Sequence, residues 1–189
     1  MIETVKATLV GVAPLLMSNV RTADPTNEWA IRLKVLSAIR NKTEEQLAEL
    51  KRVEWWARLI TNEKGAPSIT ADHVLAAIVC GAKKAKLGET AKAAVFETDA
   101  FYPLSYEGPK NMEKLSELPE FCDYRVVAVS TRRVMRARPR FPAWSCDVSV
   151  NVNTEMMETS QVIEALTVNG QLVGMGDYTP RFGRYEVKA

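Results

Sequence analysis

An α+β fold with an antiparallel sheet covered by helices on one side is predicted by three observations. Segments with strand-like alternation interleave with segments that carry helix-capping signals. The chain has 189 residues, which suits about one domain of roughly 150 residues with a sizeable core. It is 47% hydrophobic and 25% charged, with nine Gly and nine Pro, the balance of an ordinary globular protein.

Residues 2–10 alternate and are rich in β-branched side chains until Gly11 and Pro14 interrupt them, so they read as a strand running into a bend. From Thr43, TEEQLAELKRVEWWARLI opens with a capping-box pattern, Thr43 as N-cap and Gln46 three residues on. It continues with Leu47, Leu50, Val53, Trp55 and Leu59 at helical spacing. Trp55 and Trp56 point about 100° apart on that helix, so one faces the core and the other sits at a contact or under a loop. A second helix is expected over about 70–84, with Val74, Leu75, Ile78 and Ala82 on one face and lysines at its C-terminal end. Residues 88–123 carry Pro103, Gly108, Pro109 and Pro119 and read as short strands and loops.

Residues 124–138 then read as one long strand. Residues 144–152 read as its partner, with Trp144, Cys146, Val148, Val150 and Val152 alternating against polar residues. A helix over about 160–168 follows, with Thr159 as N-cap and Asn169-Gly170 as its stop, and residues 185–188 form a last strand. With the Thr43 helix and the Pro-rich middle set aside, the order is strand, helix, strand, strand, helix, strand. That is the ferredoxin-like, RRM-type βαββαβ plan, here with an inserted helix and a long β-hairpin. One domain over 1–189 is expected, with a helical insertion at about 27–64 and an irregular one at about 88–123.

No basic segment followed by a long apolar run opens the chain, and no window approaches the ~18 apolar residues needed to cross a bilayer. A cytoplasmic location without membrane partners is therefore expected. Cys80, Cys122 and Cys146 are widely spaced, without a CxxC, and read as reduced thiols. A single histidine, His73, cannot supply a zinc site alone. Asp24, Asp147 and Asp177 are isolated acids without paired-carboxylate spacing. No catalytic residue, metal or cofactor is assigned.

Net charge is +2, but Arg125, Arg132, Arg133, Arg136, Arg138 and Arg140 crowd one stretch that holds no acid. Arginine grips phosphate with a planar fork. Arg132, Arg136, Arg138 and Arg140 share parity, so a continuous strand sets four guanidiniums along one face at ~7 Å intervals. Residues 170–183 hold Gly170, Gly174, Gly176 and Gly183, with Arg181 and Arg184 flanking and Tyr178, Phe182 and Tyr185 interleaved. Glycines let backbone amides approach a phosphate and exposed aromatics stack bases, although the same glycines suit an ordinary turn before a strand. Tyr178 is the expected stacking residue.

Three stretches together resemble the RAMP superfamily, which includes the backbone subunits of CRISPR effector complexes: VKATLVGVAPLLMSN, GAPSITADHVLAAIVCGA and GMGDYTPRFGRYEV. They are similar, in order, to that family's first strand and "PL" turn, its step into the first helix, and its glycine-rich loop before the final strand. The chain is short for a CRISPR backbone subunit, and no cleavage histidine matches, since His73 falls inside a helix pattern. A stand-alone or phage-borne relative is as compatible as an effector subunit.

The resemblance implies a ferredoxin-like core that binds single-stranded RNA by its backbone and assembles along it. The site residues it implies are Asn19 and Arg21, Ser68 and Thr70, and Gly176, Arg181 and Arg184. The expected function is thus non-enzymatic binding of single strands, RNA before DNA, by a homo-oligomer or larger ribonucleoprotein assembly. The alternatives are a RAMP-type endoribonuclease using His73 or Asp24, and a structural or protein-interaction module.

Overall fold

The structure, a computed structural model, describes residues 1–129 and 132–188, with backbone alone at Val129 and Arg132. The elements in chain order are β1 (Ile2–Gly11), β2 (Leu15–Leu16), α1 (Glu28–Ala38), α2 (Glu44–Arg58), β3 (Ser68–Thr70), α3 (Ala71–Ala82), α4 (Gly88–Ala94) and β4 (Val95–Glu97). They continue with β5 (Phe101–Ser105), α5 (Met112–Glu117), β6 (Cys122–Val129), β7 (Arg132–Phe141), β8 (Ser145–Asn153), α6 (Thr159–Leu172) and β9 (Tyr185–Lys188). The class is α+β with antiparallel sheets. Two compact units result, one from Met1–Leu15, Thr61–Glu107 and Pro142–Ala189, the other from Leu16–Ile60 and Gly108–Phe141.

The first unit holds a sheet in the order β3-β5-β8-β1-β9, with β4 also pairing β8. Strands β1 and β8 run antiparallel from Ile2↔Asn153 to Val10↔Ser145. Val5, Ala7 and Leu9 are buried together with Cys146, Val148, Val150 and Val152, so period-2 patterning gives the sheet one apolar face. Helices α3 and α6 bury Val74, Ala77, Ile78, Val162, Ala165 and Leu166 at helical spacing. They meet at Gly81, where a Cβ would lie 1.9 Å from the Ala165 carbonyl oxygen.

The second unit holds the β6–β7 hairpin, in register from Cys122↔Pro139 to Val129↔Arg132, in a sheet ordered β2-β7-β6. Helix α2 begins with the expected box: Gln46 N–H donates to Thr43 Oγ1 and Thr43 N–H donates to Gln46 Oε1. Trp55 faces inward at 1% exposure, its indole N–H donating to the Phe121 carbonyl at 2.8 Å.

Several expectations are corrected. Residues 124–138 are not one strand paired with 144–152. The arginine segment pairs with β6, whereas β8 pairs with β1 on one side and with β4 and β5 on the other. Strand β8 buries every second residue, so its neighbours supply apolar side chains, which the arginines of β7 do not. The strand that follows α3 in the large sheet comes from the segment expected to be irregular, which holds α4, β4, β5 and α5. The N-cap of α6 is Glu158 rather than Thr159, which is the first residue of the helix, and the helix runs through Asn169-Gly170. Asn169 accepts the buried Tyr185 hydroxyl at 3.0 Å. Gly170 is needed because a Cβ would sit 2.3 Å from the Tyr185 carbonyl oxygen.

Candidate nucleic-acid interface

On β7 the alternation is clean towards its end. Ala137, Pro139 and Phe141 are buried, and Arg136, Arg138 and Arg140 are half-buried with opposite parity. The side chain of Arg132, the fourth member of the expected row, lies outside the described residues. Two arginines of the cluster are committed to carboxylates. Arg136 Nη1 donates to Glu54 Oε1 at 2.5 Å, and Glu54, 2% exposed, also accepts the Ala137 N–H at 2.8 Å. Arg125 forks onto Asp123, Nε to Oδ2 at 2.6 Å, with a second bond from Nη2 to Oδ1. The run without an acid is therefore compensated by Asp123 just before it and by α2. Arg133, which is exposed, and Arg140 have no ion-pair partner among the described residues. The opposite face of the hairpin exposes Tyr124, Val126 and Met135.

Asn19 and Arg21 close the end of α2. Asn19 Nδ2 donates to the Leu59 carbonyl at 3.1 Å. Arg21 Nε donates to the Ala57 carbonyl at 3.1 Å and its Nη2 to Trp56 O, satisfying carbonyls that a helix terminus leaves open. Partial burial lowers the Arg21 pKa, while Glu28 opposes the change. Ser68 has no exposed surface and its hydroxyl donates to the Ala66 carbonyl at 2.9 Å. Thr70 is the N-cap of α3 and its Oγ1 lies 2.6 Å from His73 Nδ1. All four side chains are engaged by their own chain, and a fully buried Ser68 hydroxyl offers nothing to a strand in this conformation. Burial lowers the His73 pKa, with Asp72 opposing.

The glycine loop divides in two. Gly174 and Gly183, at φ +87° and +72°, serve a chain crossing. Met175 N–H donates to the Gly183 carbonyl at 2.9 Å, Gly183 N–H donates to Pro14 O at 2.8 Å, and a Cβ on Gly183 would lie 1.7 Å from Met175 O. Gly176, also at positive φ, is exposed, as are Tyr178, Arg181 and Arg184. Tyr178 is 45% exposed, whereas Phe182 and Tyr185 are buried. Arg181 and Arg184 have no ion-pair partner among the described residues.

The isolated acids hold local bonds. Asp24 accepts the Thr26 N–H and hydroxyl, which lowers its pKa. Asp147 accepts the Thr8 hydroxyl at 2.6 Å, and Asp177 accepts the Tyr178 N–H. No group of three His, Cys, Asp or Glu residues suited to a metal is present among the described residues. No helix there is long and apolar enough to cross a membrane. Cys80, Cys122 and Cys146 are free thiols; burial pushes the Cys146 thiol up to about 12, with Asp147 adding to the effect.

Sequence reasoning missed the polar face of the large sheet. Thr4 donates to Asn151 at 2.8 Å, and with the Thr8–Asp147 bond this forms a side-chain ladder across β1 and β8. A cleft of about 660 Å³ lies on that face, with Lys6, Phe101, Ser149 and Lys188 in its lining. The alternation of Thr4, Lys6 and Thr8 along β1 was the signal that could have marked it. In comparison with known proteins, the chain matches no family model and no curated relative.

Proposed function

We propose that the protein binds single-stranded nucleic acid, RNA before DNA, through its phosphate backbone, and that its first unit is a ferredoxin-like core of the RAMP kind. The observation that carries this reading is the division of the arginines into two sets. Arg21, Arg125 and Arg136 serve the fold, while Arg133, Arg140, Arg181 and Arg184 have no ion-pair partner among the described residues. Like charges left unneutralised repel, and phosphates relieve that repulsion by charge-assisted hydrogen bonds. Tyr178 adds an exposed ring for stacking a base.

The strand order supports the fold reading. β1 and β5, joined through α3, are separated by β8, and β8 and β9, joined through α6, are separated by β1, as the split βαβ plan requires. The reading includes assembly of several copies along one strand.

The test is fluorescence anisotropy with labelled 20-mer RNA, the matching DNA strand and a duplex at several salt concentrations. Each phosphate contact on a single strand contributes about −0.7 to the log–log salt slope, and the RNA emerges at its original length. Arg133→Gln and Arg140→Gln each reduce the slope by about 0.7, whereas Arg136→Gln leaves it unchanged. A flat salt dependence, or no binding at low salt, sinks the reading. It would favour a protein partner for the exposed Tyr124, Val126 and Met135 face instead.

A further inference from the structure

The cleft on the polar face of the large sheet, about 660 Å³, falls inside the size range of small-molecule sites. Helix α6 packs on the other face, against Tyr185, and strand register fixes what stands on this one. Ser149 of β8 lies opposite Lys6 of β1, and Asp147 opposite Thr8. On the other side of β1, Thr8 lies opposite Lys188 of β9. Residues directly opposite share a face, so Lys6 and Lys188 are diagonal neighbours with Cα atoms about 7–8 Å apart.

Both lysines are exposed, and neither has an ion-pair partner among the described residues. Asp147 is exposed too. It spends Oδ1 on the Thr8 hydroxyl and can accept a guest hydroxyl through Oδ2. On the far side, Tyr102 and Leu104 of β5 are buried, so strand alternation turns Phe101 and Pro103 to the cleft that they line. Extending the Leu104↔Cys146 pairing by three residues brings Phe101 level with Ser149. There side chains bridge the gap: the Tyr102 hydroxyl donates to the Ser149 carbonyl, and the Thr98 hydroxyl donates to the same carbonyl at 3.1 Å. These bonds hold β5 away from β8 and open the floor of the cleft.

From the lysine pair across β8 to β5 is about two and a half strand spacings, ~12 Å. Along that line a guest meets two cations, then a carboxylate, then an aromatic ring. We propose that the cleft takes a nucleoside monophosphate, its phosphate between Lys6 and Lys188, its ribose hydroxyls donating to Asp147 and its base against Phe101. Asp99, also in the lining, and Asp147 repel a polyphosphate, so a single phosphate suits the local charge. A free mononucleotide and one unit of a strand offer the same chemistry. The proposal does not rest on the strand-binding reading, because it uses none of Arg133, Arg140, Arg181 and Arg184.

The experiment titrates the full chain by calorimetry with AMP, adenosine, ribose 5-phosphate and a 12-mer oligoadenylate, beside Lys6→Gln, Lys188→Gln and Phe101→Leu variants checked by circular dichroism. AMP is expected to bind more tightly than adenosine or ribose 5-phosphate, because only AMP engages both ends of the cleft. Each lysine variant, altered at an exposed position, weakens AMP binding about fivefold and leaves adenosine unchanged. Phe101→Leu removes the stacking face. It weakens AMP and adenosine alike, about five- to tenfold, and leaves ribose 5-phosphate unchanged.

AMP that fails to bind at millimolar concentration, or that binds both lysine variants as well as the wild type, overturns the proposal; a strand still bound with the expected salt slope then leaves the strand-binding reading standing. If AMP binds as expected and no strand does, the cleft is supported and the strand-binding reading falls. Where both bind, the cleft is supported and Lys6→Gln tells the sources apart. Oligoadenylate weakened in step with AMP assigns the cleft to one unit of the strand, and unchanged oligoadenylate affinity assigns it to a free mononucleotide.

Discussion

Replacing Glu54 tests how the arginine cluster is built. The carboxylate is 2% exposed, and it holds the Arg136 guanidinium through one oxygen and the Ala137 N–H through the other; Arg58 Nη1 stands 4.0 Å away. Breaking a buried pair by removing one partner costs about 3–5 kcal/mol. Arg136 keeps 31% of its surface in water and can turn outward, which favours the lower end. The orphaned Ala137 N–H restores about 1 kcal/mol of cost. Glu54→Ala is therefore expected to destabilise the second unit by about 3–4 kcal/mol, and Glu54→Gln, which retains an acceptor, by about half as much.

With a urea slope of about 2 kcal/mol/M, the alanine variant lowers the unfolding midpoint by about 1.5–2 M. Tryptophan fluorescence is the suitable probe, because Trp29, Trp55 and Trp56 all lie in that unit. Pairing Glu54→Gln with Arg136→Met costs less than the sum of the two, since no buried charge is then left alone. Glu54→Gln also releases Arg136, so the salt slope of strand binding steepens by about 0.7. A midpoint shift below about 0.3 M for Glu54→Ala, or strict additivity in the double variant, would refute the reasoning.

Gly81→Ala is expected to lower stability by about 2–3 kcal/mol in thermal melts despite the better helix propensity of alanine, because the new Cβ meets the Ala165 backbone at 1.9 Å; an unchanged Tm refutes that packing. His73 titrates with a pKa lowered from 6.5 by burial, so the unfolded chain takes up the proton first as pH falls. Its contribution to stability is present above pH 6.5 and is lost as pH falls through its folded-state pKa. His73→Gln should flatten that part of a urea-midpoint profile between pH 7.5 and 5, and an equal slope in both proteins counts against it.

What the sequence made legible was local. The Thr43–Gln46 box announces α2 from four residues, the alternation in β8 survives intact, and the adjacency of Trp55 and Trp56 foretells that one faces inward while the other sits half-buried beside Trp29. What stayed hidden was non-local. The acid that neutralises Arg136 lies 82 residues earlier, so an arginine run without a neighbouring acid looked freer than it is. Arg21 caps a helix end 36 residues away, a task indistinguishable in the sequence from waiting for a ligand. Strands β4 and β5 are three and five residues long, too short to display a period, and Pro103 within β5 argues against a strand until its neighbours are known. Gly170 resembled a helix stop, and only the Tyr185 carbonyl and ring packed against it give its real purpose.

The central pairing of the large sheet joins Thr4 to Asn151 across 147 residues of chain. At roughly 5–20 residues per second of synthesis, β1 waits about 7–30 s for β8 to be made, with its amide edges and its valine and leucine side chains unmatched in the meantime. A nascent chain cut short before Ser145 has no middle to its sheet, whatever helices it has already formed. The first unit cannot close until β8 and β9, at 145–153 and 185–188, have been translated.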